Sequence, residues 1–114
     1  MGDVYNQSIL ETIKKLLGIM PTYTQFDQDL IVCINSAFSI LKQLGVGPSE
    51  GFHIAGNQEK WGDYMDEEDN TDTVISYIHL KVKLMFDPPS NSFITEAFNK
   101  TISEIEWRLT VGNK

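Results

Sequence analysis

The chain of 114 residues has few of the residues and apolar runs from which metal sites, disulfides or membrane spans are built. Cys33 is the sole cysteine, which excludes an intramolecular disulfide and a thiolate cluster for zinc and is typical of a protein made in a reducing compartment. No apolar run approaches the ~20 residues that cross a bilayer, and the first residues lack a basic stretch before an apolar core. We therefore expect no contact with membranes and no cofactor.

Positive charge is also scarce, with 9 basic against 16 acidic side chains and a formal net charge of −7. Between Ser49 and Asp72 there are eight carboxylates and one basic residue, Lys60, so this segment accounts for the whole net charge. The rest of the chain is balanced and shows no basic patch. Because nonspecific binding to nucleic acid depends on Lys and Arg displacing counterions, this composition disfavours it.

Apolar residues recur at helical spacing over most of the chain, which predicts an all-α fold. We expect a small bundle of about four main helices in a single domain, 1–114. The bounds follow from the spacing of apolar residues, from the capping signals at Ser8 and at Ser90 or Ser92, and from the prolines after the apolar runs. The predicted helices cover about 8–19, 25–44, 72–86 and 92–111. The third helix is apolar on more than one side, which predicts a central position.

One connection, 45–71, is far longer than the few residues that usually join helices. It carries five glycines and ends in an acidic stretch. Its apolar residues predict that it is pinned to the bundle or to a neighbour, with a helical turn around 59–65. Phe52, Trp61 and Tyr64 are therefore candidate interface residues. The acidic candidates are Asp63, Asp66, Glu67, Glu68, Asp69 and Asp72.

The sequence gives little support for a catalytic site, and we expect that the protein is not an enzyme. His53 and His79 lie far apart without ligands at metal spacing, and Cys33 has no basic neighbour. Residues with oxygen ligands alternate from Asp66 to Asp72, as at the start of a calcium-binding loop. However, Thr71 stands where such a loop requires glycine, and Tyr77 stands where it requires a bidentate glutamate. A solvated acidic turn before the third helix is the favoured interpretation.

Trp107 lies about 200° around the last helix from Ile105, off the apolar seam. That seam comprises Ile94, Phe98, Ile102, Ile105 and Leu109. Exposed Trp beside Arg108 is typical of a protein interface, so both are candidate contact residues. The sequence leaves open the alternative that the indole folds back over the long loop of the same chain.

Five segments also carry a family resemblance: LKQLGVGP at 41–48, GF at 51–52, KWGDY at 60–64, YIHLKVKLMFDPP at 77–89 and EWRL at 106–109. They resemble the small head-tail connector (adaptor) proteins of tailed bacteriophages and prophages. The resemblance covers about 8–111, while the acidic tip at 65–70 does not align.

The resemblance implies a non-enzymatic subunit that forms a ring, expected to be twelvefold, below the portal. Its partners would be the portal protein, the stopper or tail-completion protein and copies of itself, with DNA passing through the channel without specific binding. Its location would be the virion, and the host bacterial cytoplasm during assembly. The alternative that the charge leaves open is an acidic inhibitor that mimics nucleic acid, although its carboxylates would then extend over a wider surface.

Overall fold

The structure, a computed structural model, describes residues 4–65 and 71–112. After a short 3-10 turn at Val4–Asn6, five helices follow: α1 (Ile9–Leu16), α2 (Asp27–Gln43), α3 (Trp61–Tyr64), α4 (Thr71–Phe86) and α5 (Ser92–Gly112). The described residues form no strand beyond an isolated bridge between Ser8 and Lys60. The all-α prediction is confirmed, and α3 lies where a helical turn was predicted.

α1 begins as predicted but ends earlier. Ser8 is its N-cap, and the Ser8 Oγ accepts a hydrogen bond of 3.2 Å from the Glu11 amide. The helix stops at Leu16 because Gly18 adopts a left-handed φ of +81° and the Ile19 amide turns back to the Lys14 carbonyl at 2.8 Å. Met20 consequently lies in the following turn and is exposed.

A buried lysine joins the end of α1 to the start of α2. The Lys14 ammonium donates to the carbonyls of Pro21 at 3.2 Å and Tyr23 at 2.7 Å, and it lies 2.9 Å from the Asp27 carboxylate. Because a buried ammonium is tolerated only when its protons are satisfied, these three partners fix the path of the α1–α2 connection.

α4 is the central helix, as its two apolar stripes predicted. It packs against α1, α2 and α5, and it buries Val74, Tyr77, Ile78 and Val82. The predicted face of α2 supplies the opposing side of this core through Leu30, Ile34, Ala37, Phe38 and Leu41. No helix in the described parts of the chain has the length and apolarity to cross a membrane.

Candidate assembly surfaces

α5 has one face in the core and one face in solvent. Ile102, Ile105 and Leu109 are almost fully buried against the bundle, whereas Trp107 is 66% exposed. The predicted phase of Trp107 is therefore correct, and the alternative in which its indole folds back over the long loop is wrong. Arg108 is also exposed. Trp107 and Arg108 thus stand together on the surface, as residues available to a partner.

A partly buried hydrogen bond joins α4 to α5 beside Trp107. The Tyr77 hydroxyl of α4 donates to the Glu106 carboxylate at 2.7 Å. Burial, followed by this hydrogen bond and the negative charge of Glu106, raises the pKa of Tyr77, so the phenol stays protonated at physiological pH. Glu106 directly precedes Trp107, and its contact with α4 agrees with the helix rotation that the buried Ile105 and Leu109 set.

The first half of α5 departs from the predicted seam. Ile94 is exposed and Phe98 is only half-buried, although both were predicted to face the core. Phe93, at 82%, is among the most exposed apolar side chains. The residues that α5 buries in the core, Ile102, Ile105 and Leu109, lie in its second half, and its first turns are less covered by the bundle. Sequence reasoning missed Phe93, although its spacing of two heptads from Trp107 was a usable signal.

The long connection is anchored to the bundle through aromatic rings. Phe52 lies 5.1 Å from Phe38 and 5.3 Å from Tyr64, and Tyr64 lies 4.6 Å from Phe38, measured between ring centroids. The Trp61 side chain is fully buried, and its indole N–H donates to the Thr12 hydroxyl at 3.1 Å. These contacts make the loop part of the core.

Trp61 and Tyr64 therefore need correction as candidate interface residues. Both side chains lie inside the subunit, where a partner cannot reach them while the fold is intact. Of the two roles predicted for the apolar loop residues, the structure favours pinning the loop to its own bundle. Phe52 is half-buried.

Backbone contacts reinforce the anchoring. The Asn35 side chain of α2 accepts from the Ile54 amide at 2.8 Å and donates to the Ile54 carbonyl at 3.0 Å. Gly47 has a φ of +89°, and a Cβ there would lie 2.6 Å from the Tyr64 ring. The glycine in the GVGP turn is thus required both by backbone conformation and by the close approach of Tyr64.

The acidic candidates divide into three sets. Asp63 is exposed and its carboxylate accepts from the Lys60 amide at 2.9 Å, which caps α3. Asp72 is exposed in the first turn of α4, where a carboxylate suits the helix dipole. Asp66, Glu67, Glu68 and Asp69 lie outside the described residues.

Two groups with reactive potential, Cys33 and His79, lie in settings that shift their pKa values. Burial, with a smaller contribution from Asp29, raises the pKa of the Cys33 thiol and so disfavours the thiolate. Burial and the nearby Lys83 lower the pKa of His79. Among the described residues, no three His, Cys, Asp or Glu side chains are grouped closely enough to hold a metal ion.

A second apolar feature, not anticipated from the sequence, lies where α1, α2 and α4 meet at one end. The ring of Phe26 contacts those of Tyr23 and Phe86 at centroid distances of 5.5 and 5.3 Å. Beside them is a groove of about 410 Å³ lined by Leu17, Ile19, Phe26, Phe86 and Asp87. Phe26 lies within the predicted span of the second helix, 25–44, but the structure places it just before α2, where it is partly exposed and forms this rim.

The surface of the subunit thus presents apolar side chains on α5 and at the α1–α2 end, without a catalytic grouping in the described residues. Residues 9–114 match a protein family described as phage connector protein. The chain belongs to the phage connector protein family. Neither curated proteins nor solved structures give a match. For a phage connector, exposed apolar side chains on a helical bundle are natural positions for contacts with other virion proteins.

Proposed function

We propose that this phage connector is a non-enzymatic subunit of a ring, expected to be twelvefold, that lies below the portal and joins the DNA-filled head to the stopper or tail. The family match over residues 9–114 carries the proposal. In this proposal the protein resides in the virion at the head-tail interface, and during assembly in the cytoplasm of the host bacterium.

The distribution of exposed apolar groups supports assembly with several partners. Phe93 and Trp107 lie on α5, whereas Met20, Tyr23 and Phe26 lie at the end of the bundle formed by α1 and α2. A ring subunit needs two unlike lateral faces and two axial ones, because head-to-tail contacts join different patches of neighbouring copies. Apolar groups at separate places on one small bundle meet that requirement.

The charge of the protein supports passage of DNA without specific binding. A net charge of −7 in 114 residues repels phosphates, and the chain has no cluster of Lys and Arg with which to hold a duplex. Carboxylates that face a channel would let the duplex slide. Carboxylates that face outwards would keep the free subunit soluble.

The test is co-sedimentation of the purified protein with DNA-filled capsids that carry the portal, compared with capsids that lack it. Binding that requires the portal agrees with the proposal. Equal binding to both capsids, or binding to neither, contradicts it. Inhibition of a DNA-binding enzyme by the free protein would instead favour nucleic-acid mimicry.

A further inference from the structure

The solvent face of α5 carries a continuous stripe of exposed residues at alternating spacings of four and three. We call these residues the outer stripe: Phe93, Ala97, Lys100, Glu104, Trp107 and Val111. This spacing is that of a coiled-coil seam, and it runs for about 27 Å at 1.5 Å per residue. The stripe lies opposite the buried seam of Ile102, Ile105 and Leu109.

The side chains of the outer stripe are ordered so that the stripe complements an antiparallel copy of itself. Its two ends are apolar, with Phe93 and Ala97 at one end and Trp107 and Val111 at the other. Its middle is charged. An antiparallel copy, related by a two-fold axis at the level of Ile102, places Phe93 against Val111 and Ala97 against Trp107. The same axis places Lys100 against Glu104, and each of these pairs occurs twice.

The central charges are available for a second copy. The ion pairs within the described residues are Lys14 with Asp27 and Lys83 with Asp87, so neither Lys100 nor Glu104 is neutralised inside the subunit. A lysine four residues before a glutamate is also the less favourable order for pairing within one helix. A parallel copy in register would place like charges together, so charge favours the antiparallel arrangement.

We propose that the outer stripe is the interface of a two-fold dimer of free subunits, with their α5 helices antiparallel. Large apolar side chains at the ends, above all Trp107 and Phe93, anchor the pair, and the small Ala97 makes room for the opposing indole. The two Lys100–Glu104 contacts fix the register.

The dimer has a consequence for assembly. A two-fold contact uses the same patch on both copies and is closed, so it cannot extend into a ring. It also covers Trp107, which the proposed function makes available to virion partners. The dimer is then a storage form that opens before incorporation. This consequence rests on the proposed function, whereas the dimer itself does not.

The test is a charge swap on the full chain, followed by sedimentation velocity over a range of concentrations. The wild type should dimerise, and Lys100→Glu or Glu104→Lys alone should each raise the dimer dissociation constant at least about tenfold, because like charges then meet twice. The double variant, Lys100→Glu with Glu104→Lys, restores opposite charges and should return the constant to within about threefold of wild type.

Lys15→Glu is the matched control, since it reverses an exposed lysine on α1, away from the outer stripe. It should leave dimerisation unchanged. All variants should keep the helical circular dichroism of the parent. A monomeric wild type at the highest concentration, single variants that dimerise as well as the parent, or a double variant as weak as the singles would each overturn the dimer.

The dimer and the proposed function fail separately. A wild type that forms a ring unaffected by either single charge reversal would overturn the dimer and agree with the proposed function. A dimer that follows the charge swap, in a protein that never binds portal-bearing capsids, would overturn the proposed function and leave the dimer in place.

Discussion

The Tyr77 hydroxyl of α4 and the Glu106 carboxylate of α5 are joined by a hydrogen bond of 2.7 Å, next to the exposed Trp107. Tyr77 is fully buried and Glu106 is half-buried. The pair therefore links the interior of the bundle to the residue that directly precedes Trp107 along α5.

Tyr77→Phe tests this link. It removes the hydroxyl while keeping the ring, and it should reduce the free energy of unfolding by about 1 to 3 kcal/mol, because the Glu106 carboxylate loses its buried donor. Tyr23→Phe is the matched control. It removes an exposed hydroxyl that donates to Gln25, and it should change stability by less than about 0.5 kcal/mol in the same denaturant titration. Equal effects of the two changes would contradict the link.

Trp61→Ala tests the anchoring of the long connection. Loss of a fully buried indole, which also leaves the Thr12 hydroxyl without its donor, should cost about 3 to 5 kcal/mol. Neutralising Asp66, Glu67, Glu68 and Asp69 together should cost less than about 1 kcal/mol, since neighbouring like charges repel. Thermal melts of both variants decide the matter, and the reverse order of stabilities would show that something other than apolar packing holds the loop.

The pH dependence of stability should carry a contribution from His79. Burial lowers the pKa of His79 below its ordinary value of 6.5, so protons bind the unfolded chain more tightly than the folded one. The contribution is present above pH 6.5 and is lost as the pH falls through that value towards the lower folded pKa. Denaturant midpoints between pH 7.5 and about 5 should therefore decline less in His79→Gln than in the parent.

His53→Gln provides the control, because His53 is the other histidine and lies exposed in the long connection. Its pH profile should run parallel to that of the parent. A profile of His79→Gln that also runs parallel to the parent would show that His79 does not contribute to this pH dependence.

Trp107 and Arg108 should act in assembly more than in folding. Trp107→Ala with Arg108→Ala should leave the melting midpoint nearly unchanged, because both side chains are exposed, and should sharply weaken recruitment to portal-bearing capsids. Leu109→Ala is the contrasting change, because it empties a buried position and should cost about 2 to 5 kcal/mol. Normal recruitment of the double variant would exclude these two residues from the interface.

Sequence periodicity predicted the four main helices, apart from the end of α1, and the two faces of α5 near Trp107, because apolar residues at helical spacing form one face that packs on a core. It failed for Ile94, because periodicity shows which face is apolar but not how far along a helix the cover extends. It gave Trp61 and Tyr64 as interface candidates and left open whether the bundle or a neighbour buries them, since an apolar loop residue gives no sign of which one will.

The groove beside Phe26 and Phe86 had no sequence signal for a related reason. Its lining residues come from three separate segments, and each segment alone has the pattern of an ordinary helix face or helix end. Only the packing of α1, α2 and α4 brings them together. The need for glycine at position 47 likewise becomes visible only in the structure, through the close approach of the Tyr64 ring.

The central claim, that this phage connector forms a ring on the portal, is tested most directly by electron microscopy of the purified protein mixed with its portal. The account predicts a second ring stacked on the portal and coaxial with its channel, with the expected twelvefold symmetry. A portal that carries no added density at a saturating concentration of the protein would contradict the claim.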